Sequence, residues 1–385
     1  MKNDKTKVAV IFGGRSVEHE VSIMTAMQVF KNIDREKYEI VPVYIDKSGR
    51  WLVDKKLEKL ENFSNEKNIE AQEYFLNTSP NIKALIPKSG FKFFGKISAD
   101  IYFPVIHGTF GEDGTLQGLL EMAGVPYTGS GVAGSAVGMD KIIQKAVFQN
   151  ADLPTVKYVW FSKNEWEDNK IDIIKNIEKT LCYPVFIKPA NLGSSVAVGK
   201  ARGAQELGEA VDVASNFDRR IIVEEGKENI IEINCSVLGN EELMASVCEQ
   251  PLGGEHMLSY EDKYLKGGKT KGMAGLSRLA PAPISEVLSE KIQQMAKIAF
   301  KAVDAAGVAR IDFLVDEKND AVWINEINTL PGSLSFYLWE KSGIDFGELI
   351  DRIIALGFER HQERQKLMFS YDSDLISKIA EESKI

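Results

Sequence analysis

The residues best suited to chemistry lie in two short runs, Arg310-Ile311-Asp312-Phe313-Leu314 and Ile324-Asn325-Glu326-Ile327-Asn328. Strand-like stretches at 310–315 and 321–328 flank a polar turn from Asp316 to Asp320, which predicts a β-hairpin. Side chains alternate along a strand. Arg310, Asp312 and Leu314 therefore share one face of the first strand, and Ile324, Glu326 and Asn328 share one face of the second. Folding about Asn319 sets Asp312 opposite Glu326 and Arg310 opposite Asn328. Carboxylates held between apolar strands repel each other and lose hydration, so a cation belongs between them. Hard oxygen donors without His or Cys suit Mg²⁺, which also takes phosphate oxygens. A one-residue slip would bring Asn325 opposite Asp312 and turn Glu326 away. The plainer alternative is a solvated hairpin with ordinary surface acids. Against it, Asp312 and Glu326 sit within the apolar runs and not in the turn.

Other elements must bring a phosphate to such a metal. Lys188 closes the apolar run Tyr183 to Ile187, where an amine is costly unless it meets an anion, and Gly193-Ser194-Ser195 follows. Lys141 opens a helical run that reaches Asn150. Two lysines and a loop of small residues with directed N–H groups would hold a polyphosphate. Snorkelling at the surface accounts adequately for Lys141 but poorly for Lys188. Near the N-terminus, residues 7–12 read as a buried strand, Gly13 to Ser16 as a turn, a helix starts near Glu20, and Glu39 to Ile45 is the next strand. This opening predicts a parallel α/β domain. Glu18 lies beside the turn, at the end of the sheet where such folds bind ligands; a solvated acid at a helix start is the alternative. A strand from Asp100 ends at His107, and Gly108, Gly111 and Gly114 would let backbone approach a ligand. A lone histidine is as often structural. Gly129 to Gly134 matches G-x-G-x-x-G, but Pro126 interrupts the preceding strand, and a domain junction explains the glycines equally well. No G-x-x-x-x-G-K-[ST] or G-x-S-x-G sequence occurs, which weakens the P-loop and serine-hydrolase readings.

The remainder reads as scaffold. Residues 54–99 are polar and irregular and predict an insertion. Strands are predicted at 155–161, 183–188, 195–199, 220–225, 231–238 and 243–249, and helices at 285–306 and 345–356. A Gly- and Lys-rich loop spans 253–277, and a charged tail follows Gly357. At 385 residues, with 44% hydrophobic and 27% charged, the composition is that of a globular protein of two or three domains. No apolar run approaches the roughly 20 residues that span a bilayer. The polar start predicts no signal peptide, and three cysteines without metal-type spacing fit a reducing cytoplasm. The net charge of −9 argues against a nucleic-acid partner.

Taken together, these segments resemble the ATP-grasp superfamily and, within it, the D-alanine–D-alanine ligases. The resemblance rests on Gly13 to Ser22, His107 to Gly118, Met139-Asp140-Lys141, Lys188-Pro189 with Gly193-Ser194-Ser195, and Arg310 to Gly332, and it covers roughly 7–357. It implies an α/β and α+β chain of three domains: an N-terminal parallel α/β domain (1–128), a central ATP-grasp domain (129–224) and a C-terminal one carrying the metal site (225–385). The reaction implied is ATP-dependent joining of two D-alanines through an acyl phosphate, for peptidoglycan synthesis, in a cytoplasmic homodimer without nucleic-acid or membrane partners. The resemblance places Lys141, Lys188, Ser195 and Lys263 on the ATP phosphates, Glu224 (or Glu225) in the adenine pocket and Glu232 on the ribose. Asp312, Glu326 and Asn328 would hold two Mg²⁺, with Mn²⁺ an alternative ion. Glu18 would hold the ammonium of the first D-alanine in a hydrogen-bonded set with Ser194 and Tyr264. His107 would approach substrate carboxylate, and Arg310 and the Gly332 amide would stabilise the oxyanion. The loop 253–277 would close over the acyl phosphate. One departure stands out: Tyr337 occupies the position where many members carry a serine for the carboxylate of the second amino acid. That leaves D-serine or D-lactate as alternative acceptors. A nucleotide-binding regulator without catalysis is disfavoured, because Lys188, Arg310, Asp312, Glu326 and Asn328 are all present.

Overall fold

The computed structural model describes residues 5–63, 69–89, 95–194, 196–252 and 278–382. The sequence-predicted Ser195, Lys263 and Tyr264, and the loop 253–277, lie outside the described residues. Three sheets form among those described.

The first sheet grows from β1 (Thr6–Gly13), α1 (His19–Asn32) and β2 (Tyr38–Ile45). Short strands follow: β3 (Trp51–Val53), β4 (Gln72–Leu76), β5 (Ala84–Pro87), β6 (Ile97–Ser98) and β7 (Ile101–Pro104). The spatial order is β6-β5-β4-β3-β2-β1-β7. The pairs β1·β2 and β1·β7 are parallel, whereas β2 through β6 pair antiparallel. Residues 54–99 are thus not a loose insertion. They extend the sheet by hairpins, and strands this short, one burying Tyr74 alone and the next burying Ala84 and Leu85 side by side, give little periodicity to read.

Three helices bridge to the second sheet: α2 (Thr115–Met122), α3 (Val132–Met139) and α4 (Lys141–Asn150). The last glycine of the 129–134 pattern lies within α3 and serves close packing. A β-carbon on Gly134 would lie 2.3 Å from the Asp304 carbonyl oxygen. The second sheet has the order β10-β9-β11-β8, built from β8 (Tyr158–Ser162), α5 (Lys163–Thr180), β9 (Val185–Pro189), β10 (Gly199–Ala201), α6 (Ala204–Ala214) and β11 (Arg220–Glu225). The strand expected at 195–199 is instead β10, which begins at Gly199.

The third sheet runs β14-β13-β12-β15-β16. Its elements are β12 (Ile231–Gly239), β13 (Met244–Pro251), β14 (Arg278–Leu279), α7 (Glu286–Ala302), β15 (Gly307–Asp316) and β16 (Ala321–Asn328). Ile233, Cys235, Val237, Ile311 and Phe313 bury one face against Ile292, Ala296 and Phe300 of α7. Glu232, Asn234 and Ser236 alternate onto the other face, as a sheet packed on one side requires. The chain ends with α8 (Phe336–Lys341), α9 (Phe346–Gln365) and α10 (Leu375–Glu382). Leu349, Ile350 and Ile353 of α9 join the core of the first sheet, so the chain closes back on its beginning. No helix among the described residues is long and apolar enough to cross a membrane.

The register of β15 and β16 positions the acids. Asp316 pairs with Ala321, Val315 with Val322, Leu314 with Trp323 and Phe313 with Ile324. Continued unbroken, this ladder would bring Asn325 opposite Asp312. An irregularity between Asp312 and Phe313 takes Asn325 out of the ladder, so Asp312 faces Glu326 and Arg310 faces Asn328. Two residues against one make a β-bulge. The bulge also corrects the expectation that Ile324 shares a face with Glu326. Ile324 is fully buried in the α7 core, because strict alternation does not survive an extra residue. Ile324→Ala should therefore lower stability by about 2–5 kcal/mol in urea unfolding. A change below about 0.5 kcal/mol would mean that Ile324 lies on the polar face and that the bulge is absent.

Candidate active site

Four polar residues stand in a row across the third sheet. Glu249 is opposite Asn234, Asn234 opposite Asp312, and Asp312 opposite Glu326. All four line one cavity, together with Glu18, His107, Lys141, Ser194, Glu232, Arg310, Asn328 and Gly332. Like charges directly opposed on neighbouring strands destabilise the pair, so the cations around them are informative. Arg310 forks onto Asp312, with Nε 2.6 Å from Oδ1 and a terminal nitrogen 2.7 Å from Oδ2. Asn328 donates to Asp312 Oδ2 at 3.1 Å. Lys141 Nζ lies 3.6 Å from Glu326 Oε2 and donates to the Leu192 carbonyl at 2.8 Å. Burial would pull Arg310 down, but the Asp312 charge outweighs it and holds the guanidinium well above its ordinary value. Asn234 is 3% exposed, and its Oδ1 has no hydrogen-bond partner among the described residues. Asp312, Glu326, Asn328 and the Asn234 oxygen form a hard, all-oxygen donor set that fits a divalent ion such as Mg²⁺.

Helix α4 fixes this geometry. Its Lys141, Gln144 and Lys145 lie at i, i+3 and i+4, hence on one face. Lys145 Nζ donates to the Asn325 carbonyl at 3.2 Å, Lys141 faces Glu326, and Gln144 Oε1 accepts from the Ile327 N–H at 2.9 Å. Three successive residues of the bulged strand are thus gripped by three side chains of one helix. Asp140 caps α4 through the Ile142 and Ile143 amides and pairs with Arg220 of β11. The Lys141 amide donates to the Ala190 carbonyl at 2.9 Å, which ties the same helix to the end of β9.

Beneath α4 lies a buried cluster. Glu224 is held between Lys188 Nζ at 2.7 Å and Lys145 Nζ at 3.0 Å. Burial would raise the Glu224 carboxyl, but the two lysines overcome it and hold it at about 2. Burial opposes charge on Lys188 as well, yet Glu224 and Glu326 together raise it, whereas Lys145, fully buried with Lys188 beside it, is pulled down. Lys188 is thus directed at Glu224 rather than exposed on the cavity wall. Glu225 pairs with Lys227 instead of entering the cluster.

The opposite end of the cavity is acidic. Ser194 donates to Glu18 Oε1, which brings two sequence-predicted residues together across 176 positions. Gly108 and Gly193 make room for this contact, since a β-carbon on either would lie 2.6 Å from Glu18 Oε2. Glu112 accepts from the Gly108 amide at 2.6 Å. Burial and then the Glu18 charge push its carboxyl well above the ordinary carboxylate range. His107 has both ring nitrogens engaged by the protein. Nδ1 donates to the Leu330 carbonyl at 3.1 Å, and Nε2 accepts from the Thr25 hydroxyl at 2.8 Å. Thr25 Oγ1 accepts in turn from the Ser333 amide at 3.3 Å. His107 therefore pins the loop around Gly332.

Tyr337 is buried behind the cavity wall. Its hydroxyl donates to Glu249 at 3.2 Å, and Arg278 stacks over its ring. Several of these residues escape a reading of the sequence. Lys145 carries a signal, being one helical turn from Lys141 on the same face. Glu112 lies inside the glycine-rich segment after His107. Asn325 has nothing local to mark it as a bulge, and Arg278 and Glu249 have no periodic or motif context.

Two outcomes follow. Lys145→Met leaves Glu224 with one cation and the Asn325 carbonyl without its donor, and should cost roughly 3 kcal/mol in urea unfolding. An unchanged midpoint would show that the lysine does not hold the two elements together. Burial pulls the His107 pKa down from 6.5 to about 4, with the Leu330 carbonyl opposing only in part. The unfolded chain thus binds the extra proton first. The contribution, roughly 3 kcal/mol, is complete above pH 6.5 and is lost as pH falls towards 4. His107→Gln should flatten the stability profile across that window; a wild-type profile already flat there would contradict the buried neutral imidazole.

Comparison with known proteins agrees with this geometry. The family described as D-ala D-ala ligase N-terminus matches residues 7–130, and that described as D-ala D-ala ligase C-terminus matches 147–355. A D-alanine--D-alanine ligase of Heliobacterium modesticaldum is 42% identical over 366 residues, 94% of this chain and 97% of that protein. The structure of the D-alanine-D-alanine ligase from Coxiella burnetii superposes with a TM-score of 0.79 at 31% identity, covering 99% of this chain and 100% of that one. VanG D-Ala:D-Ser ligase from Enterococcus faecalis gives 0.78 at 32% identity, covering 92% of this chain and 100% of that one. With a cavity lined by the third sheet, by α3 and α4 and by the loops after β1, β7 and β9, and with matches of this extent, the chain belongs to the D-alanine–D-alanine ligase family.

Proposed function

We propose that this enzyme uses ATP to join two D-alanines into D-alanyl-D-alanine, a cell-wall precursor, in a cytoplasmic homodimer. The observation that carries the reading is the polarity of one cavity: an acidic end at Glu18 and Glu112, and a phosphate end where Lys141, Arg310, Asp312, Glu326 and Asn328 converge.

The first D-alanine places its ammonium on Glu18, which Ser194 orients. Its carboxylate then points towards the phosphate end. A carboxylate is a poor electrophile, so one of its oxygens attacks the γ-phosphorus of ATP and ADP departs, leaving an acyl phosphate. Lys141 lies where the transferring phosphoryl oxygens pass, and the buried Lys188–Glu224–Lys145 cluster adds one net positive charge behind it. Asp312, Glu326 and Asn328 would hold two Mg²⁺ or Mn²⁺ ions, which would supply charge neutralisation and Lewis acidity at the phosphates. Glu232 also lines the cavity, in keeping with a ribose contact, while the buried Glu224 orients Lys188. The amine of the second D-alanine attacks the acyl carbon, and Arg310 and the Gly332 amide stabilise the oxyanion until phosphate leaves.

Because Tyr337 stands where many relatives carry a serine, the acceptor is the step to test. ADP release with D-alanine alone should be near its full rate, and adding D-serine or D-lactate at subsaturating D-alanine should not raise it. If D-alanine proves a poor second substrate, the dipeptide reading is wrong and the D-serine or D-lactate alternative takes its place. Glu326→Gln should reduce turnover by at least about a hundredfold and raise the magnesium requirement while leaving the unfolding midpoint near wild type. Near-normal turnover would remove Glu326 from the metal site.

A further inference from the structure

Among the described residues, three arginine or lysine side chains line the cavity, and two serve its phosphate end: Lys141 faces Glu326, and Arg310 forks onto Asp312. The third, Arg278, stands at the start of β14, where its backbone pairs with Pro251. Its guanidinium carbon lies 3.6 Å from the centre of the Tyr337 ring, a stacked cation–π contact. One terminal nitrogen is 3.0 Å from Glu249 Oε2, and the arginine side chain is 13% exposed against 1% for Glu249. Glu249 Oε1 accepts at 3.2 Å from both the Tyr337 hydroxyl and Asn234 Nδ2. The ring fixes the plane of the guanidinium and the carboxylate fixes its direction. A planar fork held this way on a cavity wall matches a carboxylate, whereas a lysine in its place would present a point charge without orientation.

The donor half of the reaction has no use for this group. The donor ammonium goes to Glu18, its carboxylate to the phosphoryl group, and the oxyanion to Arg310 and Gly332. The acceptor amino acid brings one further anion, its own carboxylate. We propose that Arg278 binds the acceptor carboxylate, and that Tyr337 and Glu249 are positioning residues that orient it. This rests on the ligase reading above. It also accounts for the missing serine: the phenol is buried against Glu249 and shapes the subsite through the arginine stacked on it.

The test separates the acceptor step from activation. The full-length enzyme receives ATP, Mg²⁺ and D-alanine together with hydroxylamine, a trapping amine that has no carboxylate. Either amine forms an N–C bond to the acyl carbon and loses a proton, and phosphate leaves with the electrons of the broken C–O bond. Arg278→Gln should lower the ratio of dipeptide to hydroxamate by roughly tenfold to a hundredfold, the worth of one charge-assisted contact. Arg278→Lys should fall between, since it keeps the charge and loses the fork. Tyr337→Leu, which removes the stacking face, should raise the KM for the second D-alanine more than that for the first. An unchanged ratio in both Arg278 variants, with the two products falling together or neither falling, overturns the assignment. A wild-type enzyme that makes hydroxamate but no dipeptide overturns the acceptor site while sparing D-alanine activation, and one that makes neither overturns the ligase reading and this assignment with it.

Discussion

The site depends on the hold of one ten-residue helix on one bulged strand. Asp312 and Glu326 are directly opposed, an arrangement that like charges resist. It exists because Asn325 is expelled from the ladder, and the expelled residue is where Lys145 donates. Lys141 and Gln144 take the next two positions, so the parity of β16 is fixed by contacts outside the sheet. The same helix is capped by Asp140, which pairs with Arg220, and its first amide bonds to Ala190. The second and third sheets are therefore placed relative to each other by the turn of helix that also sets the metal-type acids. On the proposed function, a nucleotide between those sheets would meet a geometry already determined on both sides.

Charge is distributed along the cavity with the same economy. At one end two acids, Glu18 and Glu112, lie close enough that the charge of the first pushes the carboxyl of the second up, an acidic pair of the kind the proposed ammonium contact calls for. At the other end two buried lysines share one glutamate. A buried ion cluster is weak support for stability, since well-packed apolar residues often do as well. What apolar residues could not supply is a second lysine beside the carboxylate, beneath the end of the cavity proposed for phosphate. The cluster is better explained by the anion proposed there than by the fold it sits in.

The hairpin acids and their pairing were legible in the sequence because carboxylates set within apolar strands need a cation to offset their charge. The pairing is nevertheless reached differently from how alternation implies. Regular spacing from the turn gives the slipped register, and only the bulge restores the opposition of Asp312 and Glu326. Lys141 to Asn150 was legible as a helix to the residue because its apolar spacing and aspartate cap agree. The hairpins between β3 and β6 were not, because strands of two to five residues carry no period. Arg278, Glu249 and Asn234 were invisible for a different reason. They are joined only by cross-strand register and by packing on Tyr337, relations that no local window contains.

The loop after β16 shows why such long-range relations are needed. Ser333, Leu334 and Ser335 all have φ between 51° and 53°, in the left-handed region. Each costs roughly 1–2 kcal/mol relative to a right-handed turn. The conformation persists because other groups hold it from three sides. Leu334 is fully buried in the core of the first sheet, the Ser333 amide bonds to Thr25, and His107 joins Thr25 to the Leu330 carbonyl. These anchors come from α1 and from the loop after β7, so the N-terminal sheet forces the turn that brings Gly332 to the cavity wall. A backbone segment anchored on both sides of Gly332 has little room to reorganise, which is the condition under which a backbone N–H is most useful in catalysis. On the proposed role of the Gly332 amide, the strain in the loop is the local cost of placing that donor, offset by apolar burial elsewhere.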